Sequence, residues 1–176
     1  KKVERVAAVK RILPNLCRNQ EFVDYFLHEG RVASLLNHPN VVQTLELGRT
    51  TEGHYFIAME YVSGTTLVRY LATALGSKRY LSIQLVAFLM LQLARALDHV
   101  HTRRTRDGQD LNIIHMDLAP HNMLVTVEGQ LKVMDFGIAR STGLGNLPRR
   151  RDFRGRTSYL APEQLEGYPL DQRLDL

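Results

Sequence analysis

The chain has 176 residues, 44% of them apolar and 23% charged, the composition of a globular domain with its own core and without repeats or low-complexity tracts. Its most apolar stretch, Ile83 to Leu97, is broken by Gln84, Gln92 and Arg95, the first residues lack the apolar core of a signal peptide, and the single cysteine, Cys17, allows no internal disulfide; no membrane span is therefore expected, and a reducing compartment is. The net charge of +5 sits partly in two clusters, Arg103, Arg104 and Arg106, then Arg149, Arg150, Arg151, Arg154 and Arg156; with Phe153 as the one aromatic among them they read as solvated loops, and no nucleic-acid partner is expected.

Val3 to Ile12 predicts a strand whose period of two sets Val6, Ala8 and Lys10 on one face. A helix is expected from Gln20 to Leu36, with Asn19 as its N-cap. Phe22, Phe26, Glu29, Ala33 and Leu36 are spaced 4, 3, 4 and 3 and share one helix face. Four are apolar and one is a carboxylate, which needs a partner if the face is buried. Lys10 has the complementary need on its strand. Either the two pair, or each snorkels to solvent. Val41–Leu47 and His54–Tyr61 read as strands joined by a turn at Glu52-Gly53. At Ser63-Gly64 the pattern breaks and the chain turns helical. Ser82 is placed to cap a long helix, Ile83 to His101, whose nearly all-round apolar surface predicts the centre of a helical lobe. A polar loop, Arg103 to Asn112, follows. Strands before residue 62 and helices from 65 to 101 make a two-part α+β architecture with a hinge near Glu60–Gly64.

Asn122 to Asp135 reads as a hairpin turning at Glu128-Gly129. With those two as the central turn residues, paired positions sum to 257 and Asn122 faces Asp135. Two oxygen-bearing side chains at an open hairpin end suit Mg²⁺, a hard ion; strand-end turn residues would look the same. Asp117, five residues before Asn122 in the adjacent loop, adds a third such group, and three converging at one loop edge look like a site.

Taken in order, these segments resemble the protein kinase family along essentially the whole chain. VAAVK (6–10) is similar to the strand that carries the ATP-binding lysine. HEGRVASLLNHPNVV (28–42) resembles the helix whose glutamate pairs with it, and FIAMEYVSG (56–64) the hinge. IIHMDLAPHNMLV (113–125) resembles the catalytic loop and MDFGIA (134–139) the metal-binding motif. YLAPEQ (159–164) is similar to the end of the activation segment, and DQRLD (171–175) to the start of the next helix. Within the family the likeness is greatest to bacterial serine/threonine kinases.

The resemblance implies a two-lobed α+β kinase fold truncated at both ends, with a partial N-lobe at 1–62 and a partial C-lobe at 63–176. It implies that the glycine-rich phosphate loop lies before Val3 and further helices after Leu176, so that the isolated fragment folds poorly and is inactive. ATP and Mg²⁺ are the implied cofactors and a protein the implied substrate. The kinase domain is expected in the cytoplasm, with any membrane anchor outside this window. Lys10 would hold the α- and β-phosphates, with Glu29 fixing it. Asp117 would accept the proton of the substrate hydroxyl. Asn122 and Asp135 would bind Mg²⁺. Ala8 and Leu124 would sandwich the adenine, backbone at Glu60 and Val62 would bond its edge, and Met59 would stand behind it as gatekeeper.

Three departures stand out. Met116 replaces the arginine that docks a phosphorylated activation loop in the family, so activity independent of that phosphorylation is expected. Ala119 replaces the lysine that touches the γ-phosphate, and Arg156 stands where threonine is usual; Arg156 is expected to supply the missing cation. Ala119 also occurs at this position in tyrosine kinases, whereas Pro120 and its surroundings favour Ser/Thr. The main alternative is a pseudokinase scaffold. A small-molecule phosphotransferase is disfavoured by the long segment from Asp135 to Glu163.

Overall fold

The computed structural model describes residues 5–136, 159–166 and 168–176. β1 (Ala7–Arg11), β2 (Thr44–Arg49) and β3 (Tyr55–Glu60) form an antiparallel sheet in the order β1-β3-β2. Ala8 lies opposite Met59 and Lys10 opposite Ile57, so the inward face of β1 is set against the middle of the sheet. The β2–β3 turn is where the sequence suggests it. Gly53, at φ +90°, donates its N–H to Thr50 O, a left-handed conformation that glycine adopts without strain.

α1 (Gln20–Ser34) begins at Asn19, whose side chain accepts from the Glu21 and Phe22 N–H groups, as expected of an N-cap. Its buried stripe runs through Val23, Phe26, Glu29, Gly30 and Val32. That stripe is rotated from the expected face, and Phe22 is exposed. Gly30 faces the sheet in this orientation: a Cβ there would come within 2.9 Å of Leu47 and 3.2 Å of Ile57. A side chain there would have to push aside the ends of Leu47 and Ile57, so glycine lets the helix lie close to the sheet without that shift, and Glu29 is carried in with it.

The break at Ser63-Gly64 is a strand, not a direct entry into helix. β4 (Gly64–Thr66) pairs with β5 (Met123–Thr126), and β5 with β6 (Leu131–Val133), as a second antiparallel sheet. At Gly64 a Cβ would sit 2.3 Å from Val125 O, so this close pairing depends on glycine. α2 (Leu67–Gly76) follows at once, its N-terminus capped by Thr66.

The β5–β6 hairpin differs from expectation by one residue. Met123 pairs with Val133, Leu124 with Lys132 and Val125 with Leu131, so partners sum to 256 rather than 257. Three residues, 127–129, form the connection, ending at Gly129 with φ +83°, the geometry of a three-residue loop closed by a left-handed residue. Asn122 therefore faces Met134, whose N–H donates to Asn122 O at 2.9 Å. Asp135 lies one residue beyond, with its own φ at +60°.

α3 (Ile83–His101) starts at Ser82, whose hydroxyl accepts from the Leu85 N–H. It buries Leu89, Gln92, Ala96, Leu97 and Val100, while Ile83, Phe88 and Leu91 stay exposed among the described residues. The expected all-round burial is thus not observed. By length and composition alone it could cross a membrane, with a mean hydropathy of 1.3, a test that the core helix of a globular domain passes as well. Gln92 is nonetheless committed internally. Its Oε1 accepts from Asn40 Nδ2 and from the Leu131 N–H, and its Nε2 donates to Gly129 O.

The larger core cluster draws Val32, Leu36 and Val41 together with Leu89, Val100, Ile113, Leu131 and Phe136. A smaller one joins Ile12, Val23, Phe26 and Ile57. Backbone bonds tie the two sheets near that junction: the Val42 N–H donates to Val133 O, and the Val133 N–H to Asn40 O. The C-terminal part adds α4 (Pro162–Glu166) and a 3-10 turn, Gln172–Asp175.

Candidate active site

Lys10 and Glu29 do not snorkel apart. Lys10 Nζ lies 2.5 Å from Glu29 Oε1 and 3.0 Å from Asp135 Oδ1. β1 points the lysine inward, the Gly30 approach brings the glutamate, and the left-handed backbone at Asp135 turns its carboxylate back toward β1. Burial draws the Lys10 ammonium down, but the Glu29 and Asp135 carboxylates outweigh it and leave its pKa raised. Burial pushes the Glu29 carboxyl up, against the pull of Lys10. The spacing argument left the pair of Lys10 and Glu29 open beside snorkelling, and it did not foresee Asp135 next to them.

The loop before β5 is held by groups that sequence reasoning left without a role. Asp175 is buried and accepts from the His115 N–H at 2.8 Å, the Met116 N–H at 2.9 Å and the His101 ring at 2.8 Å. Burial alone would raise its pKa, but these hydrogen bonds outweigh it and hold the carboxyl below its usual value. Gln164 Nε2 donates to Met116 O. Met116 is buried and sits at φ +68°, a strained conformation for a side chain of this size that its clamped N–H and carbonyl maintain. The Asp117 N–H donates to His115 Nδ1, so the ring proton is on Nε2, which donates to Met134 O at 3.2 Å. His115 is wholly buried and its pKa is lowered by that burial, which keeps it neutral. No signal in the sequence connects Asp175 with His101 or His115, 74 and 60 positions away.

Asp117 and Asn122 come together. Asn122 Nδ2 donates to Asp117 O and to Asp117 Oδ2, each at 2.8 Å. The amide thereby turns its Oδ1 away from Asp117. Asp135 is engaged instead by Lys10. Among the described residues no group of three or more His, Cys, Asp or Glu side chains is arranged to hold a metal. Asn122 and Asp135 offer hard oxygen donors, which fit Mg²⁺ in a site that also takes ligand oxygens and water.

A cleft of about 430 Å³ opens between the two sheets. Ala8, Lys10, Met59, Glu60, Val62 and Leu124 all line it, with Asp135 at its polar end. Val42 and Met134 also line it and were not anticipated. The Glu60 N–H donates to Gln43 O, so of that residue's backbone groups only the carbonyl could serve a ligand. Its carboxylate takes the Lys132 ammonium at 2.7 Å, bridging β3 and β6 at the back of the cleft. Arg156 lies outside the described residues.

The chain matches the protein kinase domain over residues 1–176. It is 39% identical over 173 residues to the tyrosine-protein kinase MasK of Myxococcus xanthus, covering 98% of this chain and 27% of that protein. It is 33% identical over 176 residues to the serine/threonine-protein kinase PrkC of Bacillus subtilis, covering 99% and 25%. It is 34% identical over 182 residues to the serine/threonine-protein kinase pkn3 of Myxococcus xanthus, covering 99% and 31%. The chain thus spans roughly a quarter to a third of the length of these relatives. With the whole of its described and undescribed sequence inside one family match and its α+β fold in accord, this chain belongs to the protein kinase family.

Proposed function

We propose that the chain carries the nucleotide cleft and catalytic loop of an ATP-dependent protein serine/threonine kinase. Members of the family generally use ATP and Mg²⁺. The observation that carries the proposal is Lys10, held between Glu29 and Asp135 at the polar end of an otherwise apolar cleft. A nucleotide needs both parts: an apolar slot for its base and a fixed cation for its phosphates. Ala8 and Leu124 suit the faces of the base, and the Glu60 carbonyl with the Val62 backbone suits its edge. Met59 would close the back. Asn122 and Asp135 would hold Mg²⁺, which neutralises phosphate charge when bound. Asp117, fixed by Asn122, would take the proton of the acceptor hydroxyl as its oxygen bonds to the γ-phosphorus and the bond to the β-phosphate oxygen breaks, releasing ADP. Arg156 remains our candidate for the cation that Ala119 does not supply. A division into an N-lobe part, 1–62, and a C-lobe part, 63–176, in a cytoplasmic kinase domain belongs to the same proposal.

Tyrosine as the acceptor is the second reading, favoured by Ala119 and by the name of the Myxococcus relative MasK. One experiment addresses both readings. The full-length polypeptide is incubated with labelled ATP, Mg²⁺ and a generic protein substrate, and the labelled protein is hydrolysed to its phosphoamino acids. Phosphoserine and phosphothreonine are expected; phosphotyrosine alone selects the second reading. Asp117→Asn should lower transfer by about 10²- to 10⁴-fold, the usual weight of a general base. No incorporation by the unsubstituted protein would favour a binding scaffold instead.

A further inference from the structure

The loop after α1 carries a histidine that its own turn requires to be neutral. His38 Nδ1 accepts the Asn40 N–H at 3.1 Å, so that nitrogen bears no proton. The ring also stacks on His99 of α3, with centroids 5.1 Å apart at 26°. His99 Nε2 is buried and has no hydrogen-bond partner among the described residues. An imidazolium bears N–H on both nitrogens. Protonation of His38 would set a donor against the Asn40 N–H, and protonation of His99 would put a donor where no acceptor lies. The surrounding charges oppose both events. Arg95 of α3 and Lys132 of β6 act on His38, and Arg103, just after α3, acts on His99; Asp98 of α3 works against them at both rings. Backbone bonds lead from this turn to the cleft. The Val41 N–H donates to His38 O, the Val133 N–H to Asn40 O and the Val42 N–H to Val133 O. Val42 lines the cleft, as do Met134 and Asp135 directly after Val133, and Asp135 accepts from Lys10.

We propose that the stack of His38 on His99 is an acid-sensitive latch on the nucleotide cleft. With both rings neutral it holds the Asn40 turn against α3 and β6, and so fixes the strand end that leads into Met134 and Asp135. Protonation sets two like charges face to face, breaks the bond from Asn40 to His38 Nδ1 and frees the turn, and nucleotide binding weakens. Both rings titrate below the ordinary histidine value of 6.5. The latch is therefore closed above that pH and opens as the pH falls through the folded value. The inference rests on the reading of the cleft as a nucleotide site.

The test is the affinity of the full-length polypeptide for N-methylanthraniloyl-ADP with Mg²⁺, read by fluorescence at about pH 8 and at the lowest pH, down to about 5, at which circular dichroism shows every variant folded. The double variant His38→Asn, His99→Phe does not titrate here, and an asparagine can accept the N–H two residues on. His38→Phe keeps a ring on His99 and removes the acceptor. We expect Kd of the unsubstituted protein to rise about fivefold or more in acid, the double variant to lose most of that rise, and His38→Phe to bind about fivefold more weakly already at the higher pH. Protonation of the nucleotide itself is common to all three, so the differences between them carry the result. An acid rise of equal size in the double variant would overturn the latch, and so would a His38→Phe protein that binds as the unsubstituted one does at the higher pH. Hydrogen exchange of the 38–43 backbone at the same two pH values separates this failure from that of the nucleotide reading. Where no nucleotide binds at either pH, the nucleotide reading fails; faster exchange in acid, absent from the double variant, then keeps the latch, and unchanged exchange overturns it too.

Discussion

At the scale of single residues, the site depends on carboxylates that are buried only because each has donors to accept from. Asp175 makes the point most sharply. It takes two backbone N–H groups and the His101 ring, and in doing so fixes the strained turn at Met116 next to Asp117. Replacing one carboxylate oxygen by an amide turns an acceptor into a donor facing donors. Asp175→Asn should therefore destabilise the fold by about 1–3 kcal/mol, the cost of a buried polar group left unpaired. Urea denaturation gives the reading, and an unchanged midpoint would show that the loop holds itself. The same variant should also lose transfer activity, because the Met116 turn sets the direction of the Asp117 side chain. Lys10 follows the same rule with the sign reversed: one ammonium is kept charged by two carboxylates that approach from a helix and from a hairpin end.

At the scale of elements, one side chain on α3 connects three of them. Gln92 joins the Asn40 loop after α1 to the last residue of the β5–β6 connection and the first of β6. Gln92→Leu keeps the volume but leaves the Leu131 N–H without that acceptor, and Asn40 Nδ2 with only Leu131 O. It should cost about 1–3 kcal/mol, seen as a lower urea midpoint, whereas a stabilised variant would mean that packing outweighs the network. Elements of this kind were only half legible in the sequence. The caps at Asn19 and Ser82 and the strand period around Lys10 are local signals, and they point to the helices and offer the pair with Glu29 as one of two readings. The hairpin register came out one residue away because Glu128-Gly129 is compatible with both a two-residue and a three-residue turn. β4 escaped notice because three residues, Gly-Thr-Thr, carry no period and become a strand only through a partner 60 positions away, Val125 opposite Thr65. The buried stripe of α1 places Gly30 against Leu47 and Ile57, a tertiary contact that helix periodicity does not contain.

At the scale of the whole molecule, three histidines make stability depend on acidity. His38, on the loop after α1, stacks on His99 of α3, with ring centroids 5.1 Å apart. Burial lowers both pKa values. Arg95 and Lys132 add to the effect at His38, and the neighbouring histidine and Arg103 add to it at His99, while Asp98 opposes it at both. His115, wholly buried, is lowered by burial as well. For each, the unfolded chain binds a proton more readily than the folded one. The stability contribution is therefore complete above the ordinary histidine value of 6.5 and is lost as the pH falls below it through the folded pKa. Glu29, with its pKa raised by burial, acts in the opposite sense at lower pH and is common to every variant compared. Urea midpoints measured from about pH 8 down to about pH 5 should fall. In the double variant His38→Phe, His99→Phe, which keeps two stacked rings, they should fall less, with the remainder attributable to His115. An identical slope in the double variant would remove the stacked pair from the account. Because the pair clasps the loop that leads from α1 to β2 against α3, its protonation would loosen the junction where the two sheets and the larger core meet, so the loss should appear as a change of the whole cooperative transition rather than as fraying of one element.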